Sequence, residues 1–321
     1  MESHRDDFFP CARMTTEKNT YCYSCYGLNI RSYFRLPELP EKKFENPDVV
    51  IALGQVKDKY TAEHVPEGLH FDAIDCFVFK MNSGTLYQVS GGRFITVQFP
   101  DHSRVGFPDI RLYMLSPVFN ALLHQRGILL LHAGVLCRNA RSIAIAGESG
   151  IGKSTIGAEL CLGRGYSFVS DDVCAIDDID GSRIRVLPSV PRLKMLPDTM
   201  LRLGLDSREC ESIDESKGKF SVPVKDRLAT GDVYLEAVFV LSVNDHHHIE
   251  VTSLKGVEKV EALLKNLIWI EYLRWMGNQE ALFARCNAIC SDIEIYRLSF
   301  DKRIHSPRLL ADEIEKSWNL A

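Results

Sequence analysis

Gly147-Glu148-Ser149-Gly150-Ile151-Gly152-Lys153-Ser154 is the stretch on which the reading of the whole chain turns. It matches G-x-x-x-x-G-K-[ST] without departure. It follows the apolar run Ser142-Ile143-Ala144-Ile145-Ala146 and opens an amphipathic segment from Lys153 to about Leu162, which Gly163 and Gly165 close. Strand, glycine loop and helix in that order make a phosphate cradle. Glycines let successive backbone N–H groups curl around phosphate oxygens, and the helix turns its positive end toward them. Lys153 is expected on the β- and γ-phosphates, with the Ser154 hydroxyl in the shell of a Mg²⁺ ion. Nucleotide binding is therefore assigned to Gly147, Glu148, Ser149, Gly150, Ile151, Gly152, Lys153, Ser154 and Thr155, with ATP and Mg²⁺ as the implied ligands.

Two features flank this loop. Upstream, His132 interrupts the apolar strand pattern Ile128-Leu129-Leu130-Leu131-His132-Ala133-Gly134-Val135-Leu136, joined to the next strand through the turn Arg138-Asn139-Ala140. Downstream, Tyr166-Ser167-Phe168-Val169-Ser170 ends in Asp171-Asp172. In open α/β sheets the carboxyl ends of strands face the ligand. One carboxylate there can hold Mg²⁺, and the other can accept the proton of an attacking hydroxyl. The later acids Asp177, Asp178 and Asp180 read as a solvated turn, and a lone histidine in a strand is commonly a core residue.

The wider chain sets bounds on function. Its 321 residues, 45% hydrophobic and 25% charged, are those of a globular protein able to bury a full core. A net charge of −5 gives no basic excess for nucleic acid. The opening MESHRDDFFP lacks the apolar segment of a signal peptide, and no apolar run nears the roughly eighteen residues needed to span a bilayer. A cytoplasmic protein without membrane partners is expected. The ten cysteines are scattered, which fits free thiols, and Cys22-Tyr23-Ser24-Cys25 lacks a second half for a zinc site.

Residues 1–19 read as a flexible lead-in. Residues 20–108 read as a β-rich domain: short runs such as 49–53, 76–79, 85–89 and 94–99 alternate with glycine turns and suggest a meander of hairpins. From 109 to 321 the pattern is α/β, with a helix near 112–123, a buried strand over 234–243, helices over 254–268 and 271–289, a strand over 293–300 and a last helix over 307–318. Nothing in the sequence specifies oligomeric state, so a homo-oligomer stays open.

Three segments taken together carry a family resemblance: Leu-Leu-Leu-His132-Ala-Gly, the glycine loop, and Gly165-Tyr-Ser-Phe-Val-Ser-Asp171-Asp172. They resemble the C-terminal domain of HPr kinase/phosphorylase, over roughly residues 110–300. The resemblance implies a P-loop kinase domain in which Asp172 is the general base facing an acceptor serine, Asp171 and His132 support it, and Ser154 and Asp171 serve the metal. Thr155 stands where that family usually has Glu, and its Arg-Gly-rich signature is replaced by Leu187-Pro-Ser-Val-Pro-Arg192-Leu-Lys194. HPr recognition and phosphorylase activity are accordingly not carried over. The whole chain is more similar to lasso-peptide precursor kinases, through Tyr26-Gly-Leu-Asn-Ile, Pro-Ser-Val-Pro-Arg192-Leu-Lys194 and Lys217-Gly-Lys219-Phe-Ser-Val-Pro. That similarity implies phosphorylation of a serine in a precursor peptide, typically at its C-terminus.

Basic residues beyond the acidic pair are candidates for binding phosphate or substrate: Arg192, Lys194, Lys217, Lys219 and Arg227. A mobile loop carrying them would close over an anionic ligand, whereas a solvated mixed-charge loop is the plainer reading. The tract His246-His247-His248 reads as a turn. Three functions fit the motifs. They are a kinase for a serine in a peptide or protein, a kinase for free serine or a sugar-like alcohol, and a binding protein switched by nucleotide. No Asn-Lys-x-Asp guanine signature is present.

Overall fold

The computed structural model describes residues 20–57, 67–73, 75–100, 108–180, 183–206, 210–214, 218–245, 248–270, 273 and 279–318. The lead-in 1–19, Lys217 and the pair His246-His247 lie outside the described residues. Contacts divide the mixed α/β chain into two compact units: Met1–Ser24, Leu28–Pro37 and Glu41–Gln125 in one, Cys25–Gly27, Glu38–Pro40 and Arg126–Ala321 in the other. Among the described residues no helix is long and apolar enough to cross a membrane.

The first unit holds a seven-stranded sheet built from β1 (Tyr21–Cys25), β2 (Leu28–Ser32), β3 (Val49–Leu53), β4 (Gly68–Ala73), β5 (Cys76–Lys80), β6 (Leu86–Ser90) and β7 (Phe94–Gln98), in the order β1-β2-β3-β7-β6-β5-β4. β4 to β7 form the expected meander. β3 differs: it is parallel to both its neighbours, β2 and β7. Turn residues report only local pairing, so this long-range insertion has no signature in them.

Helix α1 (Pro108–Tyr113), a widened π turn over Met114–Val118 and helix α2 (Phe119–Gln125) follow as one run. Pro117 lies in the wide turn, where the missing N–H of proline disturbs the regular ladder. This run packs with the first unit. The Tyr87 hydroxyl donates to the Ile110 carbonyl (2.9 Å), the Gly92 N–H to Gln125 Oε1 (2.8 Å), and Gln125 Nε2 to the Val89 carbonyl (3.3 Å). The contact boundary thus falls at Gln125/Arg126 rather than at the expected 108/109.

The second unit is organised around a nine-stranded sheet. Its strands are β8 (Leu129–Leu131), β9 (Ala133–Arg138), β10 (Arg141–Ala146), β11 (Ser167–Ser170), β12 (Cys174–Asp180), β13 (Arg183–Leu187), β17 (Val233–Val243), β18 (Glu250–Ser253) and β19 (Glu294–Phe300). The order is β11-β9-β10-β17-β13-β12-β8, with β19 also on β17 and β18 on β19. The three strands β10, β17 and β19 run parallel side by side. β12 runs on through Asp180, so the turn expected over Asp177–Asp180 is strand instead, closed against β13 by Ile179↔Ile184 and Asp180↔Arg183.

Alternation divides the side chains between the two faces of this sheet. Ala144, Ala146, Val135 and Val238 belong to one core with Val260, Leu263, Cys286 and Ile289, which come from α5 (Val257–Lys265) and α6 (Gln279–Asp292). Ile143, Ile145, Leu136 and Phe239 belong to the other, with Ile156, Leu160, Leu310 and Ile314. These come from α3 (Lys153–Ala158) with its π-wound continuation Glu159–Gly163, and from α7 (Pro307–Ser317). α7 is started by Ser306, whose hydroxyl accepts the Leu309 N–H (3.3 Å), and by Pro307 at its first position. A smaller sheet, β14 (Arg192–Met195), β16 (Lys219–Pro223) and β15 (Glu211–Asp214), is ordered β14-β16-β15. α4 (Pro197–Arg202) follows β14.

Candidate active site

The loop Gly147–Ser154 joins β10 to α3 at the carboxyl edge shared by the parallel strands. Three of its glycines carry positive φ: Gly147 at 137°, Gly150 at 78° and Gly152 at 124°. At Gly147 a Cβ would also meet the Leu241 carbonyl oxygen at 3.1 Å and Leu241 Cβ at 3.2 Å. Glycine is needed there both for conformation and for room. α3 begins at Gly152 with no side chain capping it, so its first N–H groups are left to an anion. Lys153 is buried, and its ammonium donates to the carbonyls of Gly147 (2.8 Å) and Glu148 (3.0 Å). The cation therefore rests across the mouth of the loop.

The acidic side of the site arises from two broken strands. The apolar run 128–136, expected as one strand, is split at His132 into β8 and β9. β9 pairs with β11 so that Val135 faces Ser170, and β8 pairs with β12 so that Leu131 faces Cys174. β11 shifts its register between Phe168 and Ser170, and from Ser170 onward the register is the one β12 keeps with β8. Its continuation sets Gly134 opposite Asp171, Ala133 opposite Asp172 and His132 opposite Val173, the stretch over which the ladder is open. The His132 N–H is satisfied elsewhere, by the Asn266 carbonyl at 2.7 Å. Gly134 closes the approach: a Cβ there would lie 2.7 Å from the Asp171 carbonyl oxygen. The lack of a side chain at 134 thus lets the Asp171 backbone lie close against β9.

Lys194 of β14 holds both carboxylates. Its backbone N–H donates to Asp171 Oδ2 (2.8 Å) and its ammonium to Asp172 Oδ2 (2.6 Å). Burial and the adjacent Asp172 push the Asp171 carboxyl up to about 7, while Lys194 and a hydrogen bond with the Ser154 side chain oppose the rise. Burial would also raise Asp172, but the Lys194 ammonium and its hydrogen bond, helped by His132 and Lys219, hold it well below the usual carboxylate range. One acid of the pair stays ionised and the other is poised near neutrality. Burial first, then Lys153, lowers the His132 pKa, with Asp172 pulling the other way. The imidazole is neutral at neutral pH.

The Ser154 hydroxyl beside the Asp171 carboxylate is a hard oxygen pair of the kind Mg²⁺ takes when phosphates and waters complete its shell. Those two residues would hold the ion. Among the described residues no cluster of three His, Cys, Asp or Glu is assembled for a metal, so any ion there depends on oxygens brought by a ligand.

The basic candidates separate. Lys194 and Lys219 belong to the acidic pair; Lys219, at the start of β16, is near enough to act on Asp172, His132 and Lys153. Arg192 is buried, with its guanidinium 3.8 Å from the Glu38 carboxylate; it is set in the interior rather than offered as an exposed anion grip. Arg227 is placed elsewhere, donating to the Cys161 carbonyl (2.9 Å) behind α3. The Thr155 hydroxyl meets that of Thr199 on α4 at 3.4 Å, so it tethers the helix. Exposed Glu148 and Ser149 form the outer rim of the loop.

Two residues near the site were not among the candidate site residues. Tyr26 is buried at φ 52°, in a two-residue turn with Gly27 (φ 71°) between β1 and β2, the left-handed pair that a type I′ hairpin needs. A bulky side chain in that conformation is strained. Its N–H donates to the Pro188 carbonyl (2.9 Å), and burial, then Cys25 and Asp172, push its phenol well up. Lys302, after β19, donates its ammonium to the Gly150 carbonyl.

The fold and site define a mixed α/β protein with a glycine loop between a strand and a helix and an acidic pair held by Lys194. No family model matches the chain, and no curated protein matches it. Among solved structures it is similar to the Hpr(Ser) kinase/phosphatase from Coxiella burnetii, with 16% identity, 60% of this chain and 96% of that chain covered, and a TM-score of 0.32. At that similarity the likeness argues neither fold nor activity, and the reading below rests on the site.

Proposed function

We propose that this chain is an ATP-dependent kinase that transfers the γ-phosphoryl group to the hydroxyl of a serine in a peptide or protein. The observation that carries the reading is the convergence of Asp171, Asp172, His132 and Lys194 about the opening in the sheet, with Lys153 of the glycine loop close enough to act on His132 and to feel both carboxylates. A phosphate-binding loop alone would serve any nucleotide protein. An ionised carboxylate next to it is what hydroxyl transfer adds.

In this reading the loop N–H groups and Lys153 bind the triphosphate tail and neutralise its charge. Mg²⁺, held by Ser154 and Asp171, would supply further neutralisation of the phosphate oxygens. Asp172 accepts a hydrogen bond from the acceptor hydroxyl and sets its oxygen in line with the γ-phosphorus. As the new O–P bond forms and the bond to the leaving ADP breaks, the hydroxyl proton passes to Asp172. Because Lys194 makes Asp172 a weak base, orientation outweighs proton removal, as suits a loose transition state. Neutral His132 adds no competing cation beside the acceptor. Lys194 and Lys219 stand where a negatively charged acceptor would be attracted.

Mass spectrometry after incubation with ATP, Mg²⁺ and candidate acceptors tests the reading. A gain of one phosphoryl group on a peptide serine, lost in Asp172→Asn with nucleotide binding kept, is the expected result. Wild-type turnover by Asp172→Asn would overturn Asp172 as the base, whereas nucleotide binding with no phosphoryl transfer to any acceptor would favour a nucleotide-switched binding protein. Phosphorylation of free serine but not of peptides would move the acceptor to a small alcohol. The narrower acceptor, the terminal serine of a lasso precursor peptide, rests on the sequence resemblance and is tested with such a peptide and its Ser→Ala counterpart.

A further inference from the structure

We propose that the loop Asp301–His305 forms the nucleobase side of the site, with Lys302 linking the base to the phosphate loop. The inference rests on the nucleotide reading above and extends it to a part of the ligand that the glycine motif does not address.

Topology places the loop. β10, β17 and β19 are parallel neighbours, so the connections leaving them open on one edge of the sheet. Gly147–Ser154 leaves β10 and Asp301–His305 leaves β19. The ends of β17 and β19 are tied, the Asn244 N–H donating to the Phe300 carbonyl at 2.9 Å. The remainder of a nucleotide whose phosphates occupy the first loop must extend over one of the neighbouring connections.

The loop after β19 is built rather than slack. Asp301 is buried, and its carboxylate accepts the Arg303 N–H (2.9 Å), Arg303 Nε (2.9 Å) and Arg303 Nη2 (2.6 Å). The Asp301 carbonyl accepts the N–H groups of Ile304 (3.2 Å) and His305 (3.0 Å), and the Asp301 N–H donates to His305 Nδ1 (3.1 Å). Thus fixed, the loop projects Lys302 onto the Gly150 carbonyl. The ammonium is spent on the outer side of the phosphate loop, which leaves the methylene stem lying between that loop and the residues after it.

Two exposed aliphatic residues stand among the charged residues of these strand-end connections. Ile304 is 50% exposed and Val243, the last residue of β17, 55% exposed. Single exposed aliphatics are ordinary. Two on adjacent strand-end connections, Ile304 two residues from Lys302 and Val243 paired with Phe300, suit a flat heteroaromatic ring with a phosphate tail. Ile304 and the Lys302 stem would cover the base, and the Lys302 ammonium would fix the loop that binds the tail.

Calorimetric titration of the full chain in Mg²⁺, with ATP and separately with inorganic tripolyphosphate, tests this. Ile304→Ser is expected to weaken ATP about five- to tenfold and leave tripolyphosphate within about twofold. Lys302→Ala should weaken both, ATP more; Lys302→Met, which keeps the stem, should match Lys302→Ala on tripolyphosphate and retain more of the ATP affinity. Ile304→Ser and Lys302→Ala leaving the ratio of the two affinities at its wild-type value would overturn the base subsite alone. A wild-type chain binding neither ligand would instead overturn the nucleotide reading on which it rests.

Discussion

The two halves of the site are made in opposite ways. The phosphate loop is local: eight consecutive residues, three positive-φ glycines and one buried lysine bonded to carbonyls of the same loop. The acidic side is assembled from distant segments, His132 from one broken strand, Asp171-Asp172 from another, and Lys194 from a separate small sheet. A local device withstands changes elsewhere in the chain. An assembled one depends on every partner that keeps the ladder open at the right level.

That contrast can be broken most severely at Asp172. Asp172→Asn should lower phosphoryl transfer about 10³-fold while nucleotide affinity, measured by calorimetry, stays within about threefold. A parallel loss of nucleotide affinity would mean that the two halves are not separable. Gly134→Ala comes next. With its Cβ directed 2.7 Å from the Asp171 carbonyl oxygen, it should cost about 2–3 kcal/mol of stability in chemical denaturation and slow transfer more than it weakens nucleotide. Unchanged stability would show that the strands can part freely there.

Two smaller effects sharpen the comparison by lying outside both halves. Arg164 is ion-paired with Glu315 and Asp312 (2.6 Å to the latter) and donates to the Arg308 carbonyl (2.8 Å), pinning α7. Arg164→Ala should destabilise by about 1–2 kcal/mol with the turnover number unchanged. Arg227→Ala should cost only about 0.5–1 kcal/mol and leave Km for both substrates unaltered. A marked rise in the acceptor Km would restore Arg227 to the substrate site.

The same division explains what could be read from residues alone. The glycine loop, its strand and its helix were legible because each conformational demand is written where it acts. Asp171-Asp172 was legible as a strand-end acidic pair. The break at His132 was not: an apolar run with one histidine has the pattern of a continuous strand, and only pairing with residues about forty positions away decides where it opens. Arg192 and Arg227 looked alike as basic loop residues, yet one is buried beside Glu38 and the other serves a helix carbonyl. Charge in a sequence does not say which way a side chain turns. The first unit's boundary was missed for a similar reason, since helical periodicity over 108–125 does not reveal that Tyr87 and Val89 hold the run.

β17 spans eleven residues and is hydrogen-bonded along both edges, to β10 on one side and in turn to β13 and β19 on the other. Between Ala237 and Val240 its backbone is flanked on both edges, by β10 and β19, so fraying one neighbour does not expose it. Its amides there should therefore exchange with deuterium only through global unfolding, while the opening at His132 and Asp171 breathes locally. Strand β17 acts as a stiff spine, against which the acidic side can loosen and re-form without unfolding the loop beside it.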